Sequence, residues 1–407
     1  MKAVLAFGSA SFVLSVLFAS IPCRGEPTGS LAAALEALDE RDFARGFTML
    51  RPLAEAGDAV AEVELGQLYD RGEGVSRNAQ EAEGWYSKAA EQGNAKAEYL
   101  LGRKYALRSD FVNALKWFRK SADLEYAPAK YSIGAAYELG TGVPKSRAEA
   151  LKWIRAAADL GDPGAESDLS YRYQTGTLGV PKDVAKAAEW DRKCADHGMI
   201  GCKYALGRRY LLGEGVPVDY QKARDIFEEI LASPSSKDGD IDQAATQMGL
   251  IYLNGEGSEQ DHSKAFEYFS LATSKGRSAT AEFELGNLYY EGKGVSQDYV
   301  LAAHWWQMSL GILIGDPAAG RLLASLYLDG LGVPKDKVTA YQWLEIAVLK
   351  GDEQARVDRD KLVSMMRSDE LRRGDQAVAN WGSKLYGKNW KSDIKSGVKL
   401  KHLNEFR

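Results

Sequence analysis

The chain has 407 residues, 45% hydrophobic and 27% charged, the balance of an ordinary folded soluble protein. A formal net charge of -5 supplies no pull toward nucleic acid. The four histidines (His197, His262, His304, His402) are scattered without ligand spacing, so neither metal nor cofactor is expected. Residues 1–25 read as a secretory signal: Lys2 gives a positive start and Ala3 to Ile21 is an uncharged apolar run. The alternative is an uncleaved membrane anchor. Pro22 before Cys23 argues against a lipoprotein site, and an exported chain, periplasmic or secreted, is the expectation.

Residues 26–58 read as a degenerate N-terminal capping repeat, with Asp42 seven residues before Met49. From 59 to 352 one pattern recurs eight times. Its marker tyrosines are Tyr69, Tyr105, Tyr137, Tyr173, Tyr210, Tyr252, Tyr289 and Tyr327, spaced 36, 32, 36, 37, 42, 37 and 38 residues apart. A period too long for one helix and too short for a domain predicts stacked helix-turn-helix units.

Each copy opens with a helix whose apolar stripe, Leu65, Leu68 and Tyr69 in the first, has helical spacing. Gly66 lies inside that helix, with Ser170 and Ala324 at equivalent places elsewhere. Glycine there costs about 1 kcal/mol against alanine, so its recurrence predicts close approach of the partner helix. A Gly-x-Gly turn follows in most copies, as Gly72/Gly74 or Gly292/Gly294. It follows a helix rather than a strand, which favours a left-handed helix end over a phosphate cradle. The second copy has no such turn. In the sixth, Ser233 to Asp240 reads as a long loop behind the 42-residue spacing.

The second helix of each copy starts at Asn78, Asp110, Ser146, Asp183, Asp219, Asp261, Asp298 or Asp336, all strong N-cap residues. Their register makes them caps, not catalytic carboxylates. Seven residues on stand Trp85, Trp117, Trp153, Trp190, Ile226, Tyr268, Trp305 and Trp343, each with alanine three residues earlier. Tolerance of Ile226 predicts that this series is core, as does the recurrence of Tyr99, Tyr131, Tyr204 and Phe283 on the first helices. Cys194 ends one copy and Cys202 opens the next. Helix end and helix start are neighbours across a tight turn, so a disulfide is favoured over two buried thiols.

The combined pattern A-x-x-x-L-G-x-x-Y-x-x-G-x-G-V, then K-A-x-x-W-x-x-x-A-A-x-x-G, resembles the Sel-one-like repeat, a relative of the tetratricopeptide repeat, over residues 59–352. The resemblance implies an all-α, right-handed α/α superhelical solenoid acting as scaffold or adaptor. For exported bacterial members it implies links to envelope signalling, virulence or exopolysaccharide control. The Cys194/Cys202 spacing is similar to that of secreted, cysteine-rich members, but one pair here replaces one per repeat.

Residues 353–383 are expected to cap the stack, and 384–407 form a basic tail. Membrane contact is expected only through that tail or the signal. Positions that vary between copies on the first helices are free to specify a partner. Two residues after the stripe leucine stand Gln67, Arg103, Ala135, Tyr171, Arg208, Leu250, Asn287 and Ser325. Three further on stand Asp70, Ala106, Glu138, Gln174, Leu211, Leu253, Tyr290 and Leu328. By analogy with tetratricopeptide grooves, Arg103, Tyr171, Gln174, Arg208, Asn287 and Tyr290 are the candidate binding residues. They would hold an extended peptide or a carboxylated group. A non-enzymatic scaffold for a protein partner is thus expected. The alternative is a carbohydrate or peptidoglycan binder using exposed aromatics such as Trp306 and Tyr171. An exported hydrolase is disfavoured, because no nucleophile-base-orienter set is present.

Overall fold

The computed structural model describes residues 30–311 and 315–386, and every regular element among them is an α-helix. The signal expected at 1–25 and nearly all of the expected basic tail lie outside the described residues. The chain divides at Leu160/Gly161 into two compact units.

In the first unit, α1 (Leu31–Asp39) and α2 (Phe43–Glu55) precede three repeat pairs. These are α3 (Ala59–Arg71) with α4 (Ala79–Glu91), α5 (Ala95–Leu107) with α6 (Phe111–Asp123), and α7 (Ala127–Leu139) with α8 (Arg147–Ala158). The second unit begins with α9 (Pro163–Thr175) and α10 (Val184–Asp196), then α11 (Ile200–Leu212) and α12 (Tyr220–Ala232). It continues through α13 (Asp238–Asn254), α14 (His262–Lys275), α15 (Ala279–Glu291) and α16 (Tyr299–Leu310). Last come α17 (Ala318–Asp329), α18 (Lys337–Leu349), α19 (Glu353–Val363) and α20 (Ser368–Tyr386), the final two both packing on α18. Within a pair the helices run antiparallel. Ser121 near the end of α6 donates to the Ala95 carbonyl at the start of α5 (2.7 Å), and Ser309 of α16 does the same to Ala279 of α15 (3.0 Å).

All eight expected N-caps are in place, each side chain accepting from a backbone N–H in the first helical turn. Each cap residue does a second job. Its own backbone N–H donates to the carbonyl of the marker tyrosine, from Asn78 to Tyr69 (2.8 Å) through Asp336 to Tyr327 (2.9 Å). The bond survives in the second copy, where Asp110 reaches Tyr105 at 3.0 Å although the glycine turn is missing. Where the turn exists, its first glycine ends the helix in the left-handed region, Gly72 at φ 75° being representative. The second packs on the preceding repeat except in the fourth copy, where a Cβ at Gly179 would meet nothing within 4 Å; at Gly142 it would sit 2.7 Å from the Phe111 carbonyl oxygen and 2.9 Å from Leu115.

The mid-helix glycines meet the partner helix as expected. A Cβ at Gly66 would come within 2.6 Å of the Tyr86 ring, at Gly134 within 2.7 Å of Ile154, and at Gly207 within 2.8 Å of Phe227. Their partner, however, is not the tryptophan series. Trp85, Trp117, Trp153, Trp190, Ile226, Tyr268 and Trp305 are only half-buried, Trp343 alone being buried. The core is formed one residue later, by Tyr86, Phe118, Ile154, Phe227, Phe269, Trp306 and Leu344. A shift of one residue turns a side chain by about 100° around a helix, which places the tryptophans at the edge of the seam. There Lys88, Lys120 and Lys193 lie over Trp85, Trp117 and Trp190 at 3.8, 4.2 and 4.0 Å from the ring centroids. Tyr99, Tyr204 and Phe283 are likewise half-buried, at the margin of the core, and Tyr131 is half-buried too.

The long loop of the sixth copy also differs from expectation. Residues from Asp238 onward are already helical, so α13 reaches 17 residues and takes up most of the insertion as an extra turn. Asp240 caps that turn by accepting from the Lys237 N–H at 2.9 Å.

Candidate functional site

The first helices of the pairs carry the positions that vary between copies, and the six candidate residues divide into two groups. Arg103 on α5, Tyr171 on α9 and Arg208 on α11 are exposed, Tyr171 at 63%. The other three are engaged in packing. Gln174 accepts from Arg209 Nη1 at 2.8 Å and points its amide at Glu214 (3.4 Å). Asn287 accepts from Trp306 Nε1 at 3.1 Å and donates to Glu284 at 3.0 Å. Burial pushes the Glu284 carboxyl above the usual carboxylate range. Tyr290 is wedged between Tyr299 and Trp306, at centroid distances of 5.5 and 5.4 Å. Arg103 belongs to the first unit and the other five to the second. Trp306, expected as an exposed ring, is fully buried, because Gly286 opposite it makes room for the indole.

Two groups of polar residues escaped the sequence pattern. In the fourth copy Ser170 replaces the glycine, and the large residue it should face is Asp191. The space is filled from α11 by Arg209, whose Nε meets Asp191 Oδ2 at 2.5 Å and whose Nη2 lies 3.4 Å from Ser170 Oγ. Both charged side chains are more than nine-tenths buried. Serine in the glycine register was the visible signal. Its coupling to Asp191, 21 residues later, was not. The second group is Glu62, Glu98, Glu166 and Glu282, buried near the starts of α3, α5, α9 and α15. Glu62 accepts from Gln92 at 2.9 Å and Glu166 pairs with His197 at 2.8 Å. Glu98 and Glu282 each keep one carboxylate oxygen without a hydrogen-bond partner. Burial raises the pKa of Glu62, Glu98 and Glu282.

A cleft of about 330 Å³ opens between α5, α6 and α7. Its floor is Leu115, Phe118 and Ala136, and Ala106 and Ala135 stand in its walls. These two alanines are the smallest members of the two variable series. Other copies carry Tyr171, Arg208 or Leu250 against Ala135, and Gln174, Leu253 or Tyr290 against Ala106. The cleft is therefore written in the sequence as two missing side chains. Leu107 (77% exposed) and Leu139 (71%) flank it, with Arg103 at the rim.

Cys194 and Cys202 are joined in a disulfide, with Cα atoms 5.8 Å apart, tying the end of α10 to the start of α11. Among the described residues, no helix is long and apolar enough to cross a membrane.

The Sel1 repeat family model matches residues 59–94, 95–126, 127–162, 163–199, 202–229, 242–276, 279–310 and 317–352, the eight copies just described. The chain belongs to the Sel1 repeat family. Among curated relatives, the Sel1-repeat-containing protein YjcO of Escherichia coli (strain K12) is 30% identical over 93 residues, 22% of this chain. The match spans 40% of the length of that relative. A solved Sel1 repeat protein from Oxalobacter formigenes is 31% identical and covers 61% of this chain and 98% of its own, with a TM-score of 0.48. A second solved structure is c5321, a protective antigen of uropathogenic Escherichia coli strains displaying an SLR fold. It is 24% identical and covers 86% of this chain and 97% of its own, with a TM-score of 0.31. By the family model, the eight helix pairs from α3/α4 to α17/α18 are Sel1 repeats, the shortened second copy being matched at residues 95–126.

Proposed function

We propose that this Sel1 repeat protein is a non-enzymatic scaffold of the cell envelope, holding a protein or peptide partner on the variable positions of its first helices. One observation supports this most strongly. The residues that recur between copies are engaged in caps, turns and helix-to-helix contact, whereas Arg103, Tyr171 and Arg208, which vary, are exposed. Stacked repeats create extended binding surfaces, and the function of such a surface lies in the side chains it presents. The Cys194–Cys202 disulfide supports an oxidising, extracytoplasmic location. Carbohydrate stacking is a weaker reading, since Trp306 is buried and three edge tryptophans are covered by lysines.

The test is capture of the native partner by crosslinking in an envelope extract, followed by Arg103→Glu and Arg208→Glu substitutions. Recovery of a defined protein, reduced about tenfold or more by charge reversal, is the expected result; a single buried or rim ion pair accounts for a change of that size. Retention on cell-wall glycan without any protein partner, or recovery unaffected by both reversals, refutes the proposal.

A further inference from the structure

We propose that the cleft between α5, α6 and α7 is a binding site for the C-terminus of a peptide, taking an apolar terminal side chain and holding the terminal carboxylate on Arg103. This rests on the scaffold reading above and gives it a specific ligand chemistry. Three observations converge on it. The first is shape: about 330 Å³ lies at the lower end of ligand-site volumes, room for the side chains of one or two residues and too small for a folded element. The second is the lining. Leu107, Phe111, Leu115, Phe118 and Leu139 give an apolar lining that favours an aliphatic or aromatic group.

The third is charge. Lys96 is paired with Glu64 (2.7 Å), Lys104 with Asp70, and Arg108 with Glu83 through both terminal guanidinium nitrogens. Arg103 alone of these four has no ion pair among the described residues. Its guanidinium lies 5.9 Å from the Tyr99 ring centroid, at the cleft rim. A planar guanidinium beside an aromatic ring, with no carboxylate partner of its own among the described residues, presents a fork that matches a carboxylate. Two hydroxyl residues, Ser132 and Thr141, also line the cleft. Ser132 donates to the Pro128 carbonyl (2.9 Å), which leaves its lone pairs to accept from a peptide N–H. An alkyl chain such as a fatty acid has no use for that acceptor.

The test is fluorescence anisotropy on the full chain, with a labelled pentapeptide ending in phenylalanine and leucine. The peptide is compared as the free acid and as the C-terminal amide. Saturable binding of the acid, at least about tenfold tighter than the amide, is expected from one charge-assisted contact. Arg103→Gln should remove the difference between the two. Ala106→Leu with Ala135→Leu should abolish binding of both, and sister repeats carry leucine at these places (Leu211, Leu250), so the fold accommodates it. Equal affinity for acid and amide, no saturation at millimolar protein, or unchanged binding by the filled variant overturns the assignment. Displacement by decanoate at lower concentration than by unlabelled peptide also overturns it. Failure here is distinguishable from failure of the scaffold reading. A partner captured by wild type, released by Arg208→Glu and retained by the filled variant, leaves the scaffold standing and removes only the cleft.

Discussion

Removing the Asp191 carboxylate should destabilise the second unit far more than its polar character suggests, while replacing the whole ionic cluster should not. Asp191 and Arg209 are both more than nine-tenths buried and meet at 2.5 Å, with Gln174 and Ser170 completing the guanidinium's partners. At an effective dielectric of about 20, charges about 3 Å apart attract by about 5 kcal/mol, and this attraction together with the contacts from Gln174 and Ser170 offsets the several kcal/mol of desolvation that each of the two ions costs. The intact pair is therefore near neutral. Asp191→Ala keeps the desolvation of Arg209 and discards its compensation, so a loss of about 3–5 kcal/mol is expected. The triple variant Ser170→Gly, Asp191→Phe, Arg209→Leu instead restores the register of the fifth repeat, where Gly207 faces Phe227. Such a variant should lie from near wild type to about 4 kcal/mol more stable. Urea unfolding followed by circular dichroism gives both differences. Hydrogen exchange on α9 to α11 shows where the loss falls, since repeat stacks need not unfold as one unit. A loss below about 1 kcal/mol for Asp191→Ala would falsify the claim that Arg209 is held away from solvent.

Trp306→Ala should cost about 3–5 kcal/mol in urea unfolding, and Trp153→Ala, at the half-exposed edge, about 1–2 kcal/mol; equal losses would mean the two positions are packed alike. Gly286→Ala drives a methyl into the Trp306 ring and should cost about 1–3 kcal/mol by the same assay. Glu98→Gln should raise the melting temperature at pH 7 and leave it unchanged near pH 3. Burial raises this carboxyl's pKa in the folded state, so its contribution is fully present below the unfolded value and is lost as pH climbs through the folded one. A mutant less stable than wild type at pH 7 would contradict that sign. Replacing Cys194 and Cys202 together with alanine should cost about 2–3 kcal/mol, since the closed loop is short. A melting curve that does not respond to reductant would show that the bond contributes nothing.

The repeating residues were legible because each has a local cause. A cap aspartate, a left-handed glycine and a small residue at a helix crossing follow from backbone geometry and spacing alone. The tryptophan series misled for a different reason. Large rings seven residues after a cap look like core on composition, but the helix turns about 100° per residue, and Tyr86 rather than Trp85 faces Gly66. Nothing in one chain's periodicity distinguishes the centre of a seam from its edge. The Ser170–Asp191–Arg209 cluster was illegible because its logic is pairwise across three helices. Among the candidate site residues, exposure of Arg103 and Arg208 agrees with their variability. Asn287 and Gln174 vary for another reason, answering particular neighbours at Trp306 and Arg209. Ala106 and Ala135 were visible in both variable series, yet their importance lies in the volume they leave empty.

The bond from each cap amide to its marker tyrosine carbonyl separates what a repeat must keep from what it can change. Asp110 reaches Tyr105 across four intervening residues, and Asp183 reaches Tyr173 across nine, at nearly the same separation. Segment length between those two anchors is thus decoupled from the geometry of the helices they join. The interval is a natural port for engineering. Foreign sequence grafted after a marker tyrosine would be displayed as a clasped excursion, leaving the register of the adjoining coils intact.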